Sequence, residues 1–235
     1  MTTDQWVTED RLTEALAEVV RKCDEWQVDL LLIGAFAVRA YAERRRLTTD
    51  LDFVAPRSAQ DNLAALFQLL GYEYSSRTRF GGVQAIKYLD EAKIQVDVAI
   101  DAIHDQNTGN VYSIPDESFR QKVKVKIVPL EGGPGVEAYT LPLADLLVSK
   151  LITSRPQDAA DAITIALTGL SPDTIADFKR KARNAQLTEH INARLGEIVS
   201  LSDRALQNLM GGYTGGRLTG QEISALRHRL RELRI

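Results

Sequence analysis

Apolar residues recur along the chain at two spacings, which divide it into helices and strands. Over 8–26 they follow the three-to-four-residue period of an amphipathic helix. The run 28–33 is short and apolar, as in a buried strand, and it ends at Gly34. The alanine-rich and arginine-rich segment 35–45 then predicts a second helix. A strand, a glycine and a helix are therefore expected in immediate succession.

Two later strands are predicted to carry acidic residues on one face. In 49–55, Asp50 and Asp52 alternate with leucine and phenylalanine, a period of two that gives the strand one apolar and one acidic face. In 93–101, isoleucines and valines alternate with polar residues, and Asp97 lies away from the apolar row. Both patterns predict strands that bury one face and leave carboxylates on the other.

The remaining elements of the first part of the chain follow from periodicity and from residues that break it. A helix is expected with Ser58 as its N-cap and Gly71 as its C-cap. Strands are expected near 83–89 and over 123–130, and the glycines and proline of 131–139 predict a turn.

From residue 141 the pattern is helical almost to the end of the chain, with breaks at prolines and glycines, and 211–220 is predicted to be flexible. The predicted fold class is α/β (α+β). It has a small mixed-sheet core with flanking helices over 1–138, followed by a helical bundle over 139–235.

Length and composition agree with two modest domains. The 235 residues are 44% hydrophobic, and 29 basic against 32 acidic side chains exclude the strongly basic kind of nucleic-acid coat protein. Residues 171–235 hold 11 basic and 7 acidic side chains, which fits either a solvated helical face or an RNA-binding one. A single cysteine, Cys23, and the lack of a signal-peptide or membrane-spanning pattern predict a cytoplasmic protein with no membrane partner.

The acidic strand faces suggest metal chemistry. Side chains two apart on a strand point the same way, so Asp50 and Asp52 can reach one hard cation. Asp97 on a neighbouring strand would complete a set of oxygen ligands suited to Mg²⁺, or to Mn²⁺. Three carboxylates can hold two ions, one activating an acceptor hydroxyl and the other steadying a triphosphate and its leaving pyrophosphate. Asp97 could also accept the proton of that hydroxyl.

The residues around these acids resemble a known family. The run from Ile33 to Val38, followed by the run from Arg46 to Val54, is similar to the signature of the polymerase-beta-like nucleotidyltransferase superfamily. The order of a glycine, a helix, an Asp-x-Asp pair and a later lone aspartate is similar to the branch that holds the bacterial AbiEii and MenT toxin-like enzymes. The segment 141–163 resembles the part of that branch where a lysine precedes a cluster of arginine and aspartate.

The resemblance implies a nucleotidyltransferase core and assigns roles within it. Asp50, Asp52 and Asp97 would be the catalytic metal ligands, with Mg²⁺ or Mn²⁺ as the cofactor. One position departs from the family pattern, because Ala35 stands where the family usually has glycine or serine and offers a phosphate no hydroxyl. The residues implied for nucleotide binding are Gly34, Ala35, Arg46, Lys150, Asp158 and Asp161.

The residues by themselves leave several of these roles open. Arg46 could contact a phosphate or the acceptor, or it could belong with Arg44 and Arg45 to a solvated helix end. Asp158 and Asp161 share a helix face and could pair with Arg155 as readily as they could serve the site. Thr48 is expected to shape the turn before the acidic strand.

The resemblance implies transfer of a nucleoside monophosphate from a nucleoside triphosphate (NTP) substrate to RNA, tRNA or protein, in a toxin-antitoxin pair with an antitoxin partner. Two alternatives stay open: modification of a small, antibiotic-type molecule, and a catalytically silent nucleotide-binding module. Arg77 and Arg79 could steer an anionic acceptor or be ordinary arginines of an exposed strand.

Overall fold

The computed structural model describes residues 5–42, 44, 46–76, 82–89, 92–130 and 132–235. Arg77 and Arg79 lie outside these described residues. The chain divides into two compact units, each assembled from three stretches of sequence. The first unit comprises Met1–Ala40, Leu47–Ile103 and Ile114–Leu141, and the second comprises Tyr41–Arg46, His104–Ser113 and Pro142–Ile235.

The strands form one large mixed sheet and one short ladder. The described strands are, in chain order, β1 (Gln5–Trp6), β2 (Leu31–Leu32), β3 (Asp50–Ala55), β4 (Glu73–Ser75), β5 (Val83–Tyr88), β6 (Ala92–Ile100), β7 (Ala102–His104), β8 (Val111–Ser113), β9 (Val123–Ile127) and β10 (Val136–Thr140). The large sheet has the order β4-β5-β6-β3-β2-β10-β9, with β1 added beside β6, and β7 pairs with β8.

Within the described residues, four helices precede β9 and six follow β10 in succession. They are α1 (Glu9–Trp26), α2 (Ala35–Tyr41), α3 (Gln60–Leu69), α4 (Asp116–Arg120), α5 (Leu143–Leu151), α6 (Pro156–Leu167), α7 (Pro172–Asn184), α8 (Thr188–Ser200), α9 (Asp203–Thr214) and α10 (Gly220–Glu232). This mixed sheet with flanking helices and a C-terminal run of helices confirms the predicted fold class.

The parallel pair of β3 and β6 lies inside the large sheet and has one buried face. Leu51 and Phe53 on β3 are level with Val96 and Val98 on β6, and all four side chains are buried. Alternation then directs the acidic residues of both strands to the opposite face. The apolar rows therefore fix which face carries the carboxylates.

Helix α1 packs on the sheet with the stripe of residues that its periodicity predicts. Leu12, Leu16, Val19 and Cys23 are buried, and the helix contacts both β3 and β10. The thiol of Cys23 is held in an apolar setting, and burial, with a smaller effect of nearby Asp24, raises its pKa to about 12. Cys23 is therefore a packing residue of the helix, unreactive at neutral pH.

Two details of the sequence-based interpretation are wrong. A 3-10 turn over Arg57–Ala59 precedes α3, so Ser58 lies inside the turn and does not cap the helix, because Pro56 in extended conformation begins the turn first. The segment 131–139 is not a turn throughout, because its last residues enter β10. Hydrogen bonding to β9 and β2 on its two sides makes this segment a strand, which local composition could not reveal.

The segment 211–220 was predicted to be flexible, but its first residues continue a helix. Helix α9 runs to Thr214, whose hydroxyl donates to the carbonyl of Met210 at 2.8 Å. Buried Leu206 and Met210 anchor the helix, and the side chain of Ser202 caps its first turn. Packing on one face therefore outweighs the low helical propensity of the two glycines. None of the described helices is both long and apolar enough to cross a membrane.

The second unit has a charged pair in its core. The ammonium of Lys181 on α7 lies 2.9 Å from Oδ2 of Asp145 on α5, and both side chains are wholly buried. The hydroxyl of Tyr112 donates to Oδ1 of the same carboxylate at 2.5 Å. Burial raises the pKa of Tyr112 above its usual range, and the charge of Asp145 adds to this, so the phenol stays a donor. These contacts tie α5, α7 and β8 together.

Replacement of Lys181 by methionine tests this pair. The variant keeps most of the side-chain length but leaves the carboxylate of Asp145 buried without this ammonium, so we expect it to lose about 3–5 kcal/mol of unfolding free energy. Urea unfolding followed by far-ultraviolet circular dichroism measures the loss. Lys179→Met on the same helix is the control, with an expected change within about 0.5 kcal/mol. Equal stability of the two variants would show that the pair contributes nothing.

Candidate functional site

Three carboxylates meet on the polar face of the parallel strand pair. Asp50 and Asp52 lie two apart on β3, and Asp97 on β6 is the register partner of Asp52. Each offers a carboxylate oxygen, and these oxygens all lie within 4.8 Å of one another. All three residues are half-buried. The sequence-predicted ligands are thus brought together by one parallel pairing.

Hydroxyl and amide donors orient two of these acids. The hydroxyl of Thr48 donates to Oδ1 of Asp50 at 2.8 Å, just before β3 begins. The side-chain amide of Gln84 on β5 donates to Oδ1 of Asp97 at 2.9 Å, and that of Gln95 on β6 donates to Oδ2 at 2.7 Å. Both oxygens of Asp97 are therefore held by donors from separate strands.

The surroundings of Asp97 raise the pKa of its carboxyl above the ordinary value. Burial raises the pKa of this carboxyl, the two amide hydrogen bonds lower it, and the nearby charge of Asp50 raises it again, with a net increase. A divalent cation would reverse this increase, because its positive charge stabilises the ionised form. The cluster therefore has the electrostatic character of a site that gains from binding a cation.

Gly34, which precedes the first residue of α2, lies against the side chain of Asp52. A Cβ at this position would lie 2.0 Å from Oδ2 of Asp52 and 2.7 Å from its Cβ. Because the Cβ of Asp52 is fixed by the backbone of β3, rotation of the carboxylate alone could not relieve the clash. Glycine is therefore required here for Asp52 to approach the start of α2. Ala35, the first residue of that helix, is buried.

Four other predicted nucleotide-binding residues form a network of ion pairs within the second unit. The guanidinium of Arg46 binds Asp161 with two contacts, from Nε to Oδ1 at 2.9 Å and from a terminal nitrogen to Oδ2 at 3.2 Å. The ammonium of Lys150 lies 2.9 Å from Asp161 and 3.0 Å from Asp158. Arg155 reaches Asp158 at 2.6 Å. Both sequence alternatives for Asp158 are therefore compatible with the structure, since it pairs with Arg155 and with Lys150.

The ion pairs of this network favour the charged forms of Lys150 and Asp158. Burial alone would lower the pKa of Lys150, but Asp158 and Asp161 outweigh it and raise that pKa above its usual range. Burial likewise opposes ionisation of Asp158, but the positive charges of Lys150 and Arg155 outweigh it and lower its pKa. The network is thus a set of buried ion pairs whose members depend on each other.

The arginines before β3 are not a solvated helix end where the structure describes them. Arg44 pairs with Glu222 of α10 at 2.6 Å and also donates to the carbonyl of Arg217, while Arg46 pairs with Asp161. Arg45 lies outside the described residues. Both described arginines are therefore tied by ion pairs to helices of the second unit, to which they themselves belong.

Sequence reasoning missed two residues that touch the acids. Gln95 is two residues from Asp97 on the same strand face, so the alternation of 93–101 predicts that the two side chains are neighbours. Gln84 is distant along the chain, and only the antiparallel pairing of β5 with β6 places it opposite Asp97. Strand periodicity could therefore have indicated Gln95, but it gives no information about Gln84.

A cavity of about 350 Å³ in the first unit is not lined by the acidic cluster. Its lining includes Cys23, Phe53, Lys122 and Tyr139 but none of the three acids. Lys122 at its rim is already engaged, with Asp29 at 2.5 Å and the ring of Tyr139 at 4.6 Å. The acidic cluster is therefore the stronger candidate site.

Comparison with known families decides the class of protein. Residues 10–171, more than half of the chain, match the family described as nucleotidyltransferase of unknown function (DUF6036). The chain belongs to this nucleotidyltransferase family. The prediction of a nucleotidyltransferase is thereby confirmed, and the AbiEii and MenT toxin-like branch stays a prediction. No curated protein matches the chain.

Several solved structures resemble this nucleotidyltransferase weakly. A putative nucleotidyltransferase from H. pylori is 12% identical, with 99% of this chain and 96% of that chain covered at a TM-score of 0.46. ANT(2")-Ia in complex with adenylyl-2"-tobramycin is 13% identical, with 80% and 98% covered at 0.41. The lincosamide antibiotic adenylyltransferase LnuA, lincomycin-bound, is 11% identical, with 75% and 98% covered at 0.39. Likenesses of this degree identify no substrate.

The acidic cluster of this nucleotidyltransferase fits divalent metal. Carboxylate oxygens are the ligands that Mg²⁺ and Mn²⁺ prefer, and opposite ligands of one Mg²⁺ lie about 4 Å apart. The oxygens of Asp50, Asp52 and Asp97, all within 4.8 Å of one another, are close to that spacing. Small side-chain rotations would therefore bring all three onto one ion, or let them share two.

Gly34→Ala tests the approach of Asp52 to the start of α2. Because the added methyl group displaces Asp52, we expect about 10- to 100-fold weaker Mn²⁺ binding. Electron paramagnetic resonance of free Mn²⁺ measures the affinity. Gly211→Ala is the control, since a Cβ there meets nothing within 4 Å. Binding by Gly34→Ala with the affinity of the unaltered protein would contradict the required close approach.

Asp158→Asn tests the buried ion network through its pH dependence. The folded-state pKa of Asp158 is lowered, so its stabilising effect is fully present above the ordinary carboxyl pKa of about 3.9 and is lost as pH falls through the folded-state value. The variant should therefore be less stable than the unaltered protein at neutral pH, and the difference should shrink in acid.

Thermal unfolding over a pH series from about 7 to about 3 measures this difference. Asp173→Asn, at an exposed position of α7, is the control and should shift stability little at any pH. A stability difference for Asp158→Asn that stays constant across the series would show that the charge of Asp158 does not stabilise the fold.

Proposed function

We propose that this protein is a metal-dependent enzyme that transfers a nucleoside monophosphate from an NTP to an acceptor hydroxyl. The observation that carries the proposal is the meeting of Asp50, Asp52 and Asp97 on two adjacent parallel strands, beside Gly34. Family membership supports the reaction class, and the carboxylate cluster supports dependence on Mg²⁺ or Mn²⁺.

In the proposed reaction the three acids have separate tasks. Bound metal would supply positive charge to the triphosphate and to the acceptor oxygen. Asp50 and Asp52 would hold the metal, and the hydroxyl of Thr48 keeps Asp50 in place. The carboxylate of Asp97 accepts the proton of the acceptor hydroxyl as the new oxygen-phosphorus bond forms. The bond to the leaving pyrophosphate breaks in the same step, and pyrophosphate carries away the electron pair.

Nucleotide binding is assigned to two groups of residues. Backbone N–H groups at Gly34 and Ala35 would receive phosphate oxygens, since the first N–H groups of a helix have no partner within it. Arg46 and Lys150 would contribute positive charge toward the nucleotide, with Asp158 and Asp161 holding their side chains. The absence of a hydroxyl at Ala35 predicts weaker phosphate binding than a serine would give, without effect on the acids.

The proposed acceptor follows the resemblance to the AbiEii and MenT toxin-like branch. We take RNA, in particular tRNA, or a protein as the acceptor, and an antitoxin as the regulatory partner. The alternatives are a small hydroxylated molecule of the antibiotic type and a silent module that binds nucleotide without turnover. Each predicts a different destination for the transferred label, so one experiment separates them.

The experiment incubates the purified protein with each of four α-labelled NTPs, Mg²⁺ and total tRNA, beside the Asp52→Asn variant. Loss of one metal-binding charge removes several kcal/mol of transition-state stabilisation, so we expect transfer by the variant to fall at least about 100-fold. Asp61→Asn, an exposed carboxylate on α3, is the matched control and should transfer as the unaltered protein does.

The destination of the label decides between the proposals. If label appears in RNA or in protein, and only when Asp52 is intact, the result supports the toxin-like acceptors. If label appears on an added aminoglycoside or lincosamide, the result supports a small-molecule acceptor. Metal-dependent NTP binding without any transfer would favour the silent module. Transfer by Asp52→Asn at the unaltered rate would show that the acidic cluster is not the active site.

A further inference from the structure

The polar face around the acids is a small lattice of side chains on three adjacent strands. One row runs from Asp52 on β3 through Asp97 on β6 to Gln84 on β5, and these residues are register partners. The neighbouring row joins Asp50 on β3 to Gln95 on β6. Each carboxylate in the lattice therefore has at least one close polar neighbour supplied by strand pairing.

Asp97 sits between the two amides of this lattice. Gln84 donates from the strand beside it and Gln95 from two residues before it, with nitrogen-to-oxygen distances of 2.9 and 2.7 Å to different carboxylate oxygens. Because an ionised carboxylate only accepts hydrogen bonds, the amide nitrogens must face it. Two donors on separate strands fix the rotation of the carboxylate, which one donor would leave free to turn.

Each of these hydrogen bonds uses only part of the acceptor capacity of Asp97. A carboxylate has two oxygens with about four lone-pair positions, so one bond to each oxygen leaves further positions for metal. Groups that orient a metal ligand from behind are a general feature of metal sites, and their loss weakens binding or activity by about 10- to 100-fold.

The neutrality of the two amides is as important as their position. Lys or Arg beside Asp97 would also donate hydrogen bonds, but a positive charge there would repel a divalent cation and compete for the carboxylate. Glutamine orients without adding charge. The donor to Asp50, the hydroxyl of Thr48, is likewise neutral. The second unit shows the contrast, because its buried carboxylates Asp158 and Asp161 are paired with cations.

We propose that Gln84 and Gln95 form a neutral amide fork that sets the orientation of Asp97 for divalent metal while preserving the negative charge of the site. This inference rests on the proposed metal-dependent function and adds two positioning residues to it. Neither residue touches the nucleotide in this role. Their effect is exerted through Asp97.

The first test removes each donor while keeping side-chain length, with Gln84→Met and Gln95→Met. We expect the affinity for Mn²⁺, measured by electron paramagnetic resonance in the absence of nucleotide, to fall about 10- to 100-fold in each variant. At saturating Mg²⁺ the KM for NTP should stay unchanged. Gln68→Met, at an exposed position of α3, is the matched control and should bind Mn²⁺ as the unaltered protein does.

The second test separates orientation for metal from simple stabilisation of the sheet. Gln84→Lys keeps a donor toward Asp97 and adds an ion pair, so the metal-free variant should unfold at the same temperature as the unaltered protein or higher. Its Mn²⁺ affinity should nevertheless fall about 10- to 100-fold, because the ammonium neutralises the ligand. A fork with only a structural role would leave Mn²⁺ binding intact in this variant. Because Gln84→Lys is expected to fold, its Mn²⁺ affinity still tests the proposal if a methionine variant does not fold.

The outcomes for the fork and for the proposed function are distinct. If the unaltered protein binds Mn²⁺ but Gln84→Lys and both methionine variants bind it equally well, the fork is refuted and the metal site stands. If the unaltered protein binds no Mn²⁺ and transfers no nucleotide, the proposed function itself is refuted. Weaker Mn²⁺ binding by all three variants, with Gln68→Met unchanged, supports the fork.

Discussion

The parallel pairing of β3 with β6, with Asp52 level with Asp97, is the constraint on which the candidate site depends. It brings three carboxylates within 4.8 Å of one another, although like charges 4 Å apart near a protein surface repel by roughly 4 kcal/mol. The strands tolerate this because their other faces are buried in the apolar core through Leu51, Phe53 and Val98. Shifting the register by one residue would turn the acids into that core, so hydrophobic burial holds the acidic face in place.

The acidic cluster and the ion pairs of the second unit surround their carboxylates with donors of different kinds. In the second unit, Lys150, Asp158 and Asp161 neutralise one another, and Lys181 is paired with Asp145. In the first unit, the donors to Asp50 and Asp97 include Thr48 and two glutamines, which carry no charge. Paired charges suit a rigid core, whereas a carboxylate cluster oriented by neutral donors keeps its attraction for a cation. The acids Asp50 and Asp97 are thus oriented by neutral donors, whereas Asp158 and Asp161 are paired with cations.

Much of the local structure could be predicted because its causes are local. The apolar period of α1 and the alternation of β3 and β6 are properties of short segments, and they gave the helix, both strands and the acidic face. Features that depend on a distant partner were not predictable in this way. The strand β10 lies in a segment whose glycines and proline indicate a turn, and only its pairing with β9 and β2 makes it a strand. Likewise, Gly211 and Gly212 are helical because Leu206 and Met210 of the same helix are buried.

The sequence by itself determined the fold class, the family signature and the identity of the three acids, because each is encoded in the periodicity or order of neighbouring residues. The tertiary structure decided what surrounds those acids. Gln84 reaches Asp97 only through the pairing of β5 with β6, and Gly34 meets Asp52 only because β2 lies beside β3. It also decided that Arg46 is bound to Asp161, far along the chain. The physical reason is that side-chain direction follows from local backbone geometry, whereas the partner that a side chain meets is set by how distant segments pack.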